Sequence, residues 1–93
     1  MDVNQKLEKA CKDALAQFEK IGDEKYYDIR SKLEFVLGSF GFDGNPVGLH
    51  EFAKKSSEEL KKYKKQNPKK VSQKLVDSID KAVENYEKSR KKG

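Results

Sequence analysis

Apolar residues recur every three or four positions in four separate stretches of this chain, the spacing that lines up one face of an α-helix. In the first, Val3, Leu7, Ala10, Ala14, Phe18 and Ile21 form the stripe, Cys11 and Leu15 widen it, and Gly22 stops it as a C′ glycine would. The second opens at Asp23, a natural N-cap, and runs through Tyr26, Ile29, Leu33, Val36, Leu37 and Phe40. The third carries Leu49, Phe52, Ala53, Ser56, Leu60 and Tyr63, and the fourth Val71, Leu75, Ile79, Ala82, Val83 and Tyr86. No stretch alternates apolar and polar residues long enough to argue a strand. The pattern predicts an all-α fold, a small antiparallel four-helix bundle with helices over about 3–21, 24–40, 46–66 and 68–90. One glycine-rich connection, 41–45, joins its halves. Residues 1–93 read as a single domain with a basic tail, 88–93, free to fray.

The connection has a detailed reading. With Gly41 as the C′ residue of the second helix, Phe42 and Leu37 take the positions that share an apolar contact in a Schellman cap. Asp43-Gly44 turns the chain, Asn45 caps the third helix and Pro46 opens it. The same pair recurs at Asn67-Pro68 and predicts the start of the fourth helix. Gly48 falls inside the first turn of the third helix, where glycine costs about 1 kcal/mol against alanine. Either a close helix crossing or an anion near the backbone amides accounts for it, and Asn45, Gly48 and His50 are the candidate contacts. Gly38 poses the same question near the end of the second helix. The loop is no phosphate-binding fingerprint, because no glycine precedes Lys-Ser or Lys-Thr. Nor is it a calcium loop, since Val47 stands at a ligand position and Lys54 where the bidentate glutamate belongs.

Charge changes the picture more than composition does. The formal net charge is +5, but residues 1–46 carry seven Lys/Arg against nine Asp/Glu, and residues 47–93 fourteen against seven. The densest run lies between the third and fourth helices, where Lys61, Lys62, Lys64, Lys65, Lys69 and Lys70 occur without an acid, and Lys74 follows. The first four complement the negative end of the third helix dipole. Lys69 and Lys70 would open the fourth helix, where the dipole disfavours them. Asp23 and Glu24 fall at the same end of an up-down-up-down bundle and offer partial neutralisation. A helix-turn-helix reading would aim Lys69, Lys70, Gln73 and Lys74 at DNA, but a fourth helix this long suits a bundle better.

Catalytic chemistry has little to stand on. His50 is the only histidine and Cys11, on an apolar stripe, the only thiol. No zinc-ligand spacing appears. Most carboxylates precede a lysine by four residues, as in Glu8–Lys12, Asp28–Lys32, Glu58–Lys62, Asp77–Lys81 and Glu84–Lys88, the order that favours surface pairs. The reading is therefore non-enzymatic, with no catalytic residue, cofactor or metal. A single cysteine, a polar "MDVNQKLEKA" opening and no apolar run near ~20 residues lead us to expect a soluble cytoplasmic protein.

Two functions fit. The first is a binding module whose lysine corner meets an acidic partner, nucleic acid or protein. The second is a protein–protein adaptor or self-associating bundle, because Tyr27, Phe35, Phe40 and Phe42 exceed what one narrow stripe needs. Attachment to an anionic membrane surface is a third, weaker option.

Overall fold

The computed structural model describes residues 2–91, Lys91 by its backbone alone. Four helices account for most of them: α1 (Val3–Ile21), α2 (Tyr27–Asp43), α3 (Val47–Gln66) and α4 (Gln73–Lys91). A single 3₁₀ turn, Glu24–Tyr26, leads into α2. Each helix runs antiparallel to the next. His50 near the start of α3 meets Glu87 near the end of α4, and Glu19 at the end of α1 lies 3.8 Å from Arg30 at the start of α2. α1 packs against all three other helices, whereas the main contacts of α2 are with α1, α3 and its own 3₁₀ turn. The result is the expected all-α four-helix bundle, 40 × 24 × 17 Å.

Local signals explain most helix ends. Asp2 and Gln5 form a reciprocal capping box on α1, and Gly22 closes that helix in the left-handed conformation at φ 70°. The end of α2 departs from the reading above. Gly41 is helical, α2 continues to Asp43, and Gly44 takes the left-handed position at φ 70°. Phe42 is therefore no cap contact; it is 94% exposed. Asp43 holds the turn by accepting from the Asn45 N–H at 2.9 Å, and Asn45 Oδ1 accepts from the Val47 N–H at 3.0 Å.

The second correction concerns Asn67-Pro68, which ends α3 instead of starting α4. Asn67 Nδ2 donates back to the Tyr63 carbonyl at 3.3 Å, and residues 67–72 cross to α4 as an irregular connection. Ser72 caps α4, its Oγ accepting from the Leu75 N–H at 3.1 Å. Lys69 and Lys70 therefore lie in the connection, so the dipole argument against them does not apply, and a reading helix would lose both. Val71 is buried at 1% exposure and anchors the connection in the core. Ile79, Ala82, Val83 and Tyr86 are buried as the stripe predicts, Val76 joins them fully buried, and Leu75 is only partly so. α4 is helical through Lys91, and positions 92–93 of the expected tail lie outside the described residues.

The core is otherwise the predicted set: Leu7, Cys11, Ala14, Phe18, Leu33, Leu49, Ala53, Leu60 and Ile79 are all at 0% exposure. A buried aliphatic side chain of this size contributes about 1.5–3 kcal/mol. Ser56, on the predicted α3 stripe, is equally buried, and its hydroxyl has no partner.

Gly48 also finds its reason. A Cβ there would lie 2.8 Å from Val36 Cγ1 and 3.2 Å from Val36 Cβ, so α2 and α3 cross where only glycine fits. Valine is stiff at χ1 in a helix and cannot swing aside cheaply. Gly48→Ala will therefore destabilise the protein by about 1–3 kcal/mol, although alanine is the better helix former. Gly38→Ala, whose Cβ meets nothing within 4 Å, will stabilise it by up to about 1 kcal/mol. Urea denaturation of the two variants at micromolar concentration checks the contrast; shifts of the same sign would contradict the crossing.

Candidate functional site

The end of α1, the turn into α2, the end of α3 and the 67–72 connection meet at one end of the bundle. Gln17 Nε2 donates to the Lys70 carbonyl at 3.2 Å and ties the connection to α1. Beneath lies an aromatic stack: Phe18 and Tyr26 have centroids 4.8 Å apart, and Tyr26 meets Tyr63 edge-on at 6.1 Å. Burial raises the Tyr26 hydroxyl above its ordinary pKa, with Lys25 acting in the opposite direction. Tyr63 is half-buried against the core, as its place on the stripe implies.

The predicted lysines divide here. Lys61 Nζ lies 2.8 Å from Asp80 Oδ2, and Asp80 also accepts from the Ser57 hydroxyl across the α3–α4 seam. Lys62 lies 3.7 Å from Glu59, in place of the expected Glu58. Among the described residues, Lys64, Lys65, Lys69, Lys70 and Lys74 have no carboxylate within 4.0 Å. Asp23 and Glu24 share this end, but neither pairs with the lysines; Asp23 caps the 3₁₀ turn. Neutralisation within the run comes instead from Asp80 on α4, which pairs Lys61, and from Glu59 on α3, which pairs Lys62.

Two further lysines join the cluster through topology. Lys20, in the last turn of α1, lines a shallow cleft of about 320 Å³ with Gln17, Ile21, Tyr63, Lys69 and Lys70, and no acid borders it. Lys25 Nζ stands 5.2 Å from the Tyr26 ring centroid and 6.0 Å from that of Tyr63. Elsewhere lysines are mostly paired. Lys9, Lys12, Lys32, Lys54, Lys55 and Lys88 each face a carboxylate within 4.0 Å. Among the described residues, the lysines without such a partner are Lys6 and Lys81 plus those gathered at this end. Of the five expected i,i+4 pairs, Glu8–Lys12, Asp28–Lys32 and Glu84–Lys88 form. Asp77 instead accepts from Gln73 at 2.8 Å, which leaves Lys81 unpaired.

Crowded ammonium groups repel one another, and water and salt screen them only in part. A partner that brings anionic oxygens among them relieves that repulsion and releases its own counterions. The cleft adds apolar surface from Ile21 and Tyr63 beside the charges.

The opposite end holds the other predicted contacts. Asn45 is occupied in its turn, and Gly48 is closed by Val36. His50 Nε2 lies 3.0 Å from Glu87 Oε2, its ring 4.8 Å from that of Tyr86, and Lys54 Nζ is 3.5 Å from the same carboxylate oxygen. The hydrogen bond to His50 holds Glu87 below its ordinary value, partly opposed by desolvation, and Lys54 adds to the lowering. A carboxyl lowered on folding stabilises the fold above its unfolded pKa and loses that contribution as pH falls through the folded one. Glu87→Gln will therefore lower the melting temperature at neutral pH, and the gap to wild type will close as pH falls below 4.5, the ordinary value. Melting curves across that range check the sign; a gap that widens on acidification would contradict it.

Cys11 is sealed in the core. Its thiol donates to the Leu49 carbonyl at 3.3 Å, and burial pushes its pKa up to about 12. Among the described residues, no three of His, Cys, Asp and Glu converge as a metal site, and no helix is long and apolar enough to cross a membrane. No protein-family model, curated protein or solved structure matches this chain.

Proposed function

We propose that this chain is a non-enzymatic binding module whose lysine end holds a polyanionic partner, nucleic acid foremost. The observation that carries this reading is the distribution of ion pairs: lysines along the bundle mostly meet carboxylates, while Lys20, Lys25, Lys64, Lys65, Lys69, Lys70 and Lys74 do not. Helix-dipole complementarity accounts only for Lys20, Lys64 and Lys65, in the last turns of α1 and α3; Lys69 and Lys70 in the connection and Lys74 in the first turn of α4 have no such local gain. The irregular 67–72 connection supports the reading too, since it presents Lys69 and Lys70 from a loop fastened by Val71 below and Gln17 beside it.

The mechanism is electrostatic. Exposed ammonium groups meet phosphate oxygens without reading base edges, so affinity falls steeply with salt and varies little with sequence. Fluorescence anisotropy with a labelled random-sequence duplex tests this. Binding at about 50 mM salt that is lost by about 200 mM is the expected result. No binding at low salt would remove nucleic acid as the partner, and an acidic polypeptide titrated in parallel would then decide whether the lysine end binds polyanions at all.

A further inference from the structure

α2 is apolar on its solvent side as well as on its buried side. Opposite Leu33 and Val36, positions 27, 31, 35, 38 and 42 follow one another at helical spacing and hold Tyr, Ser, Phe, Gly and Phe. Phe35 is 74% exposed, Phe42 94% and Tyr27 53%. From Phe35 to Phe42 the chain reads FVLGSFGF, without a charge, in a protein that is 40% charged. Gly38 and Gly41 lie inside the helix with nothing within 4 Å of where a Cβ would stand. Unlike Gly48, neither is required by the fold.

We infer that this face is the contact between two copies of the chain, α2 against α2, antiparallel about a twofold axis passing between Gly38 and Ser39. Residue sizes mirror about that point: Phe35 answers Phe42, and Gly38 answers Ser39. A twofold contact requires such self-complementarity, because each copy must supply both the knob and the hole. Charge favours the same occupant. At net +5, copies repel one another over most of their surface, and they approach best through a face that carries no charge. On one flank of α2, Lys32 and Asp43 stand about three turns apart, and antiparallel pairing sets each beside the other's counterpart in the second copy. Lys32 is otherwise engaged only by exposed Asp28, at 3.3 Å. Both lysine ends point away from such a contact and stay open.

The face of one 17-residue helix buries less than the ~800 Å² per partner of a standard interface, so the dimer is weak, dissociating on the order of tens of micromolar. Sedimentation equilibrium of the full chain from about 5 µM to 1 mM tests it; that span brackets such a constant. The weight-average mass is expected to rise from 10.7 kDa towards twice that value. Phe42→Asp and Gly38→Leu, both at open positions, will keep the helical circular dichroism and weaken association about tenfold or more, since each strikes the centre of the contact. A monomer at every concentration would overturn the inference and leave the face to another partner. Association unchanged by both variants would overturn it too, by placing the contact elsewhere.

Discussion

Phe18→Ala will cost about 3–5 kcal/mol of stability, enough to unfold much of the population of a domain this small. Phe18 is the largest fully buried side chain of the chain. Its ring stacks on Tyr26, Tyr26 meets Tyr63, and the three rings join α1, the turn into α2 and α3. Truncation leaves a cavity that neighbours on three elements would have to refill, and the bundle's short turns leave them little freedom to do so. Urea denaturation measures the loss directly. Phe18→Leu, which keeps most of the volume, should cost about 1.5 kcal/mol or less and remain folded. Phe42→Ala, at a 94% exposed position, should fall within about 0.5 kcal/mol of wild type. A Phe18→Ala variant as stable as Phe42→Ala would mean that the aromatic stack does not hold this end together.

The double variant Lys69→Glu/Lys70→Glu is expected to weaken polyanion binding on the order of tenfold or more at low salt, and to reduce the salt slope by nearly two. Both side chains are exposed and unpaired in the connection, so stability should hold within about 0.5 kcal/mol per substitution. The matched control is Lys6→Glu/Lys81→Glu, which makes the same change in net charge at the unpaired lysines away from this end. If affinity followed net charge alone, the two variants would weaken equally. A local site predicts a small loss for the control and a large one for the connection.

Much of the fold was legible because the evidence for it is local. α1 shows its stripe and its terminating glycine within a continuous run, whereas its cap, Asp2 with Gln5, emerged with the structure. The end of α2 was harder, since Gly41 and Gly44 are both suitable caps and only one can serve; Asp43 bonding to the Asn45 N–H favours the later stop. The two Asn-Pro pairs look alike in sequence yet do opposite things. What separates them is Val71, drawn into the core, and Ser72, the cap that begins α4. The purpose of Gly48 needed three dimensions, because Val36 lies on another helix.

The candidate site divides along the same line. The lysine run between α3 and α4 is plain in the sequence. Its membership is not: Lys61 leaves through a contact with Asp80 on α4, while Lys20 and Lys25 enter from α1 and the turn that follows. An up-down-up-down topology places the last turn of α1 beside this corner, so Lys20 was within reach of sequence reasoning; the Asp80 pairing was not. On α2, the surplus of aromatic residues was visible, and Phe35 and Phe42 do stand in solvent, but Phe40 is half-buried.

The most direct test is amide chemical-shift mapping of the ¹⁵N-labelled protein titrated with a random-sequence duplex at low salt. Shifts concentrated at Lys20, Lys25 and residues 64–74, fading as salt is added, are the predicted result. Shifts centred on residues 35–50, or none while the duplex is bound in excess, would contradict the assignment of the lysine end as the binding surface.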